Sequence, residues 1–331
     1  MNPMLSRILK ALCALVAVAM LSACGGASST VEPFVATRVI AFGDGFNYVD
    51  ANGAGLSTVR TGETDITIAG RVAARYGIVV KDVATGPALS AAGGFSYASA
   101  SAKVSDVATQ INTFLNSAGG VVAKKDLIII AVGNWDIKAA IASGTPTADI
   151  DTATTNLVTA IQRLTNAGAE HVVVIPPINM SRTPWATTYI GANAGVTRAD
   201  IQNLSNSAST SFNFTLLAKL QAAFTQDRKP VVVLDRTTDF NSFAGSVDVN
   251  GTAVANYSGV SLTNLSTAVC AAPSPAAGCT TAVTAAGGVG VLNASAYLTS
   301  VFADEINLTP VMNRFLADRI IYSMVSFGWA P

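Results

Sequence analysis

Four short runs of uninterrupted apolar residues mark the chain, at 39–42, 127–132, 172–175 and 231–234, with a weaker one near 78–83. Each is bounded by Gly, Pro, Asn or Asp, and continuous runs of this length are the pattern of strands buried on both faces. Between them the period changes to that of a helix, over 65–76, 104–118, 152–167 and 200–226. Val104, Val107, Ile111, Phe114 and Leu115, for example, recur at spacings that give one apolar face. Continuous strands alternating with amphipathic helices predict a single α/β domain, a three-layer α/β/α sandwich around a parallel sheet. A last helix over roughly 309–326 is expected to pack Val311, Phe315, Ile320 and Met324 against that sheet. The segment 247–298 is rich in Ala, Gly, Ser and Thr, shows no period, and reads as an irregular surface excursion. In open parallel sheets ligands bind beyond the carboxyl ends of the strands. The loops at 43–47, 133–137 and 176–182 are therefore expected to share one rim.

The first residues follow another logic. Arg7 and Lys10 precede an apolar stretch over 11–21, too short to span a bilayer comfortably, as in a secretory signal segment. It ends in Leu21-Ser22-Ala23-Cys24, followed by Gly25 and Gly26. That junction resembles the lipobox of bacterial lipoproteins, in which the cysteine becomes the acylated first residue of the mature chain. The resemblance implies a signal peptide over 1–23, a lipidated flexible tether over 24–36 and a domain over 37–331. It also implies export and lipid anchoring in the cell envelope through Cys24. Glycine rather than Asp after the cysteine favours the outer membrane. Cys13 leaves with the signal segment and Cys24 is consumed by lipid, so Cys270 and Cys279 remain as an even pair. They flank a turn-rich Ala-Ala-Pro-Ser-Pro-Ala-Ala-Gly insert, and a local bridge between them is expected.

Composition narrows the chemistry. Lys plus Arg equals Asp plus Glu at 20 each, and charged residues make up only 12% of the chain. With no basic stripe or patch, nucleic-acid binding is excluded. No second long apolar run follows the signal segment, so an integral membrane protein is excluded as well. Neither Cys270 nor Cys279 has a nearby His or cysteine partner at zinc spacing, and no metal or cofactor is expected.

Several segments resemble one family in its own order. Val39-Ile40-Ala41-Phe42-Gly43-Asp44-Gly45-Phe46 is similar to the first block of the GDSL/SGNH hydrolases, a strand leading into Gly-Asp-Ser. The stretch Gly93-Gly94-Phe95-Ser96-Tyr97-Ala98-Ser99-Ala100-Ser101-Ala102 resembles the second block. Gly133-Asn134-Trp135-Asp136 resembles the third, Gly-x-Asn-Asp after an apolar strand. Residues 171–182, with Pro176-Pro177 and Arg182, are similar to the fourth strand and its loop, and Asp304-Glu305-Ile306-Asn307 resembles the last, Asp-x-x-His before the C-terminal helix. The resemblance implies the SGNH-hydrolase fold, with a flavodoxin-like parallel sheet, and an ester hydrolase, lipase or acylhydrolase as the ancestral activity.

The reactive residues are another matter. In that family a serine attacks the ester carbonyl, a histidine takes its proton, an aspartate orients the histidine, and Gly and Asn donors hold the oxyanion. Here the nucleophile position is Gly45 and the histidine position is Asn307, whose amide takes up no proton near neutral pH. The oxyanion glycine aligns with Ala100, and the oxyanion asparagine with Trp135, leaving Asn134 displaced by one residue. Asp304 remains without an imidazole to orient. Loss of the nucleophile or base alone lowers turnover by about a million-fold in serine hydrolases. The sequence thus implies a degenerate, non-catalytic member acting as a binding or structural component. The rival is a carboxylic-ester hydrolase with a non-standard constellation.

Around these positions Asp44, Ser96 and Asp136 are cleft neighbours. Asp44 and Asp304 are expected to bind turn amides and cap the last helix, respectively, with a facing carboxylate pair as the alternative. Trp135 suits two roles equally, filling vacated space or stacking on an acyl or glycan ligand in the old cleft. His171, the single histidine, precedes its strand and belongs to the opposite end of the sheet.

Overall fold

The computed structural model describes residues 34–60, 62–84, 86, 89, 92–224, 231–233, 255–257, 260–288, 290–293 and 296–329. The expected signal segment and Cys24 lie outside these residues. The compact unit starts at Phe34, and Ala36 is already buried, so residues 34–36 belong to the domain.

The apolar runs form the strands. β1 (Arg38–Gly43) is followed by α1 (Ile68–Ala74), β2 (Val80–Asp82), β3 (Gly93–Ser96), α2 (Val104–Ser117) and β4 (Asp126–Ala131). Then come α3 (Asn134–Ala140), α4 (Pro146–Asn166), β5 (Val172–Ile175), α5 (Pro184–Ala192), α6 (Arg198–Gln202), α7 (Phe212–Ala223) and β6 (Val231–Val233). These six strands make one parallel sheet in the order β2-β3-β1-β4-β5-β6. Every residue of β4 and β5 is buried, as continuous apolar runs require. Helices α2, α4 and α7 pack side by side, while α1 packs against the C-terminal helix α9 (Pro310–Ser326). The result is the expected α/β/α sandwich.

Two expectations need correction. The single helix expected over 200–226 is broken. It runs as α6, one π-helical turn over Asn203–Ser207, and then α7, which Ser211 caps by accepting from the Phe214 amide at 3.4 Å. The residues beyond 224 in that expectation, and Leu234 of the fourth run, lie outside the described residues. The excursion after β6 is also more than a surface loop. Its described part contains β7 (Ala255–Tyr257), β8 (Val260–Leu262), β9 (Asn264–Ala268), α8 (Ala296–Thr299) and β10 (Ser300–Phe302). β9 pairs with β10, and Val269, Cys270, Ala276, Cys279, Val291 and Ala303 form a small core of their own.

The connection leaving β4 runs on to β5 on one side, whereas that leaving its neighbour β1 runs to β2 on the other, so the sheet switches direction at the carboxyl end of β1. The crevice beyond the carboxyl end of that strand is where such a sheet receives a ligand. Gly43 stands at that end with φ of 118°, and a Cβ there would lie 1.8 Å from the Ala131 carbonyl oxygen. Only glycine fits.

Candidate functional site

The loop leaving β1 is held from three sides. Gln110, from the apolar face of α2, brackets Gly43: its Oε1 accepts from the Gly43 amide at 2.7 Å and its Nε2 donates to the Gly43 carbonyl at 3.1 Å. Asp44 donates its backbone N–H to Ala131 at 2.9 Å, and its carboxylate accepts from the Phe46 amide at 3.2 Å and from Asn134 Nδ2 at 3.0 Å. Asn134 Oδ1 in turn accepts from the Ile178 amide at 3.3 Å. One buried carboxylate and one buried amide therefore join the loops after β1, β4 and β5, which share the expected rim. Burial pushes the Asp44 carboxyl up to about 7, against the stabilising pull of the Phe46 amide and Asn134. Asp136 accepts from the Val104 amide at the start of α2, 3.2 Å from each oxygen, and burial raises its carboxyl to about 6.

Asp304 and Asn307 face this loop from the turn before α9. Asn307 Nδ2 donates to both carboxylate oxygens of Asp304, at 3.2 and 2.9 Å. The same carboxylate accepts from the backbone amides of Ile306 at 2.8 Å and Asn307 at 2.7 Å. Asn307 Oδ1 is directed at Gly45: a Cβ on Gly45 would lie 2.1 Å from that oxygen and 2.7 Å from Leu56 Cδ1. The nucleophile position is therefore filled by neighbouring side chains. The order carboxylate, residue 307, residue 45 persists, with an amide where a base would be and a bare Cα where a hydroxyl would be.

Asp304 does not cap α9, in contrast to the sequence expectation. Its lone pairs are taken by the turn and by Ala276, whose amide donates to Oδ2 at 2.9 Å. Thr309 occupies the cap position, but its hydroxyl donates to the Ser300 carbonyl at 2.6 Å. Asp44 does bind a turn amide, and its second oxygen goes to Asn134. The two carboxylates thus use separate partners and do not act as a pair.

Ala276 belongs to the loop closed by the Cys270–Cys279 disulfide, with S–S of 2.08 Å. That loop is latched to the segment carrying Leu56, since Val59 N–H donates to the Cys279 carbonyl at 2.6 Å and Thr281 N–H to the Val59 carbonyl at 3.3 Å. The bridge therefore closes a cover over the Asp304 end of the site.

The other expected residues are distributed around this centre. Ser96 is buried and donates to the Asn47 carbonyl at 2.8 Å. Ala100 follows Ser99, whose amide donates to the Gly43 carbonyl at 3.0 Å. Trp135 is half-buried, with Lys138 Nζ 4.7 Å from its ring centroid, and the same ammonium lies 3.9 Å from the Glu305 carboxylate. A concavity of about 220 Å³ lies beside α2, lined by residues that include Asp82, Ser96, Tyr97, Gln110 and Thr113 but not Gly45. His171 sits at the far end, stacked 3.6 Å from the Phe34 ring, and burial lowers its pKa. Among the described residues no group of three or more His, Cys, Asp or Glu is placed to hold a metal.

Sequence reading missed Gln110, Leu56 and Ala276. Gln110 alone had a signal, a long polar side chain on the apolar stripe of α2 between Val107 and Phe114. Leu56 and Ala276 reach the site only through tertiary packing.

No curated protein sequence matches the chain. Among solved structures it is similar to a member of the lipolytic protein G-D-S-L family from Veillonella parvula DSM 2008, at 15% identity over 87% of this chain and 96% of that one, with a TM-score of 0.41. The sequence model for GDSL-like lipase/acylhydrolase matches residues 39–320, most of the chain and every block described above. The chain belongs to the GDSL-like lipase/acylhydrolase family.

Proposed function

We propose that this protein is a cell-envelope lipoprotein, anchored through acylated Cys24, whose domain no longer hydrolyses esters and serves as a binding or structural component. The observation that carries the loss of activity is the contact between Asn307 Oδ1 and the bare Cα of Gly45, where a side-chain atom would come within 2.1 Å. Attack needs a hydroxyl and a proton acceptor within bonding reach. Three nearby hydroxyls serve the backbone instead: Ser57 donates to the Leu308 carbonyl at 2.8 Å, while Ser96 and Thr309 bond to carbonyls as described. Anchoring rests on the Leu-Ser-Ala-Cys junction and the Gly/Ser-rich stretch after it. The same junction supports the outer membrane as the location.

The test compares the purified mature protein, a Gly45→Ala control and a Gly45→Ser/Asn307→His variant on short-chain aryl esters and a serine-reactive phosphonate. The expected result is background turnover and no labelling for the first two. Phosphonate labelling of the unmodified chain that survives Gly45→Ala would reveal another nucleophile and restore the hydrolase reading. Activity confined to the double variant would mean that the scaffold outlived its reactive groups.

A further inference from the structure

The six strands of the sheet are parallel, so their amino ends share one edge. The chain enters the domain at that edge. Phe34 donates its amide to the Gly328 carbonyl at 3.3 Å, and its ring stacks on His171, which meets Trp329 edge-on at 5.0 Å. The C-terminal end of α9 is thereby fixed beside the entry point. The same end of the molecule carries Val35, Val79, Val121, Tyr322, Val325 and Phe327, between 47% and 76% exposed. Val79 lies just before β2, Val35 shortly before β1, Val121 five residues before β4, and the other three at the end of α9. Scattered exposed apolar residues are ordinary, but these six are more than half of the large exposed apolar side chains among the described residues, gathered at one pole. Lys124 and Lys125 stand exposed beside Val121.

We infer that this pole is a bilayer-facing surface: Val35, Val121, Tyr322, Val325 and Phe327 rest in the headgroup region of the membrane, and the rim around Gly45 faces away from it. The inference rests on the proposed acylation of Cys24. The length of chain before the domain names the occupant. Nine residues lie between Cys24 and Phe34, enough to reach at most about 35 Å. A domain held so close meets the bilayer first with the end at which its tether enters. Tethering makes that contact intramolecular, so even a weak apolar surface is engaged most of the time. Tyr and Phe are suited to the interface by their amphipathic or polarisable rings, and Lys to anionic headgroups.

The experiment uses the acylated mature chain in nanodiscs of phosphatidylethanolamine and phosphatidylglycerol. A nitroxide is placed in turn by Phe327→Cys, Val121→Cys and, on the rim, Arg182→Cys, and collisions with oxygen and with a water-soluble nickel chelate are compared. Labels at 327 and 121 are expected to gain oxygen contact and lose nickel contact several-fold relative to the label at 182. Adding Tyr322→Lys/Val325→Lys should return the label at 327 to water. Equal nickel access at 327, 121 and 182, on protein whose N-terminal peptide carries the acyl mass, would overturn the inference while leaving the anchor intact. An N-terminal peptide without that mass would instead remove the anchoring itself, and this orientation with it.

Discussion

The two ends of the sheet invert the usual arrangement of polar and apolar residues. At the carboxyl end Asp44, Asn134, Asp304 and Asn307 are each no more than 2% exposed, and every one is hydrogen-bonded. At the amino end, large apolar side chains stand in solvent with no role in the core. A buried polar framework persists after its reactive groups are lost, because removing one member strands the others, at about 1–3 kcal/mol per unsatisfied group. Exposed apolar side chains carry no such penalty, so their gathering at one end points to something outside the fold. On the proposed function, the rim is what remains of a hydrolase site and the opposite pole is the surface that meets the membrane.

The sharpest way to break that contrast is Asp304→Ala. Its carboxylate satisfies the amides of Ile306, Asn307 and Ala276 and the side chain of Asn307, all within the packed interior. Losing so many charge-assisted bonds at once should lower stability by roughly 3–5 kcal/mol in urea denaturation. Asp304→Asn keeps one acceptor for the turn and should fall between. A loss below about 1 kcal/mol for the alanine variant would mean that the network is idle and the rim is held by apolar packing alone.

A second effect separates the ends by pH. The Asp44 carboxyl, raised by burial to about 7, is protonated in the folded protein over a range where the unfolded chain has already released its proton. Between those values folding takes up a proton, so this contribution is complete at acid pH and is lost as pH rises through about 7. Asp44 should therefore draw stability down by about 2 kcal/mol between pH 5 and pH 8, while His171, whose pKa burial lowers, opposes it at the acid end of that range. Asp136, raised to about 6 by burial, acts in the same direction as Asp44. Thermal unfolding over that range should show the downward slope in the unmodified protein and a flatter one in Asp44→Asn, whatever the variant's absolute stability. An equal slope in the two proteins would place the charged form of Asp44 in the folded state.

The legibility of these features follows their physics. β1, β4 and β5 are uninterrupted apolar runs because both faces are covered, and such runs can be read locally. β3, Gly-Gly-Phe-Ser, offers no run, yet it lies between β1 and β2 because Gly94 lets the backbone approach Val80, where a Cβ would meet the Val79 carbonyl at 2.8 Å. The break after α6 was hidden because Ile201, Leu204, Phe212 and Leu216 are all buried and mimic one helical face. Only the serines show it, Ser205 bonding back to the Ile201 carbonyl at 2.8 Å and Ser211 capping α7. At the site, the missing hydroxyl and imidazole were visible as residue types. That Asn307 turns its oxygen into the space over Gly45, and that Ala276 covers Asp304 from 28 positions away, depends on packing that no local pattern encodes.

The smallest expected effect is at the other end. Tyr322 is 76% exposed and Val325 49%, both on the outer side of the last turns of α9, where Met324 and Ile320 face the core. Helix propensity barely distinguishes Tyr, Val and Lys, and a lysine near a helix C-terminus is slightly favoured by the exposed carbonyls there. Tyr322→Lys and Val325→Lys should therefore leave stability within about 0.5 kcal/mol of the unmodified protein in the urea titration that registers Asp304→Ala. A loss above about 1 kcal/mol would mean that these side chains support the fold after all. The pole would then be an ordinary part of the domain surface, and its apolar character would no longer single out the membrane as its partner.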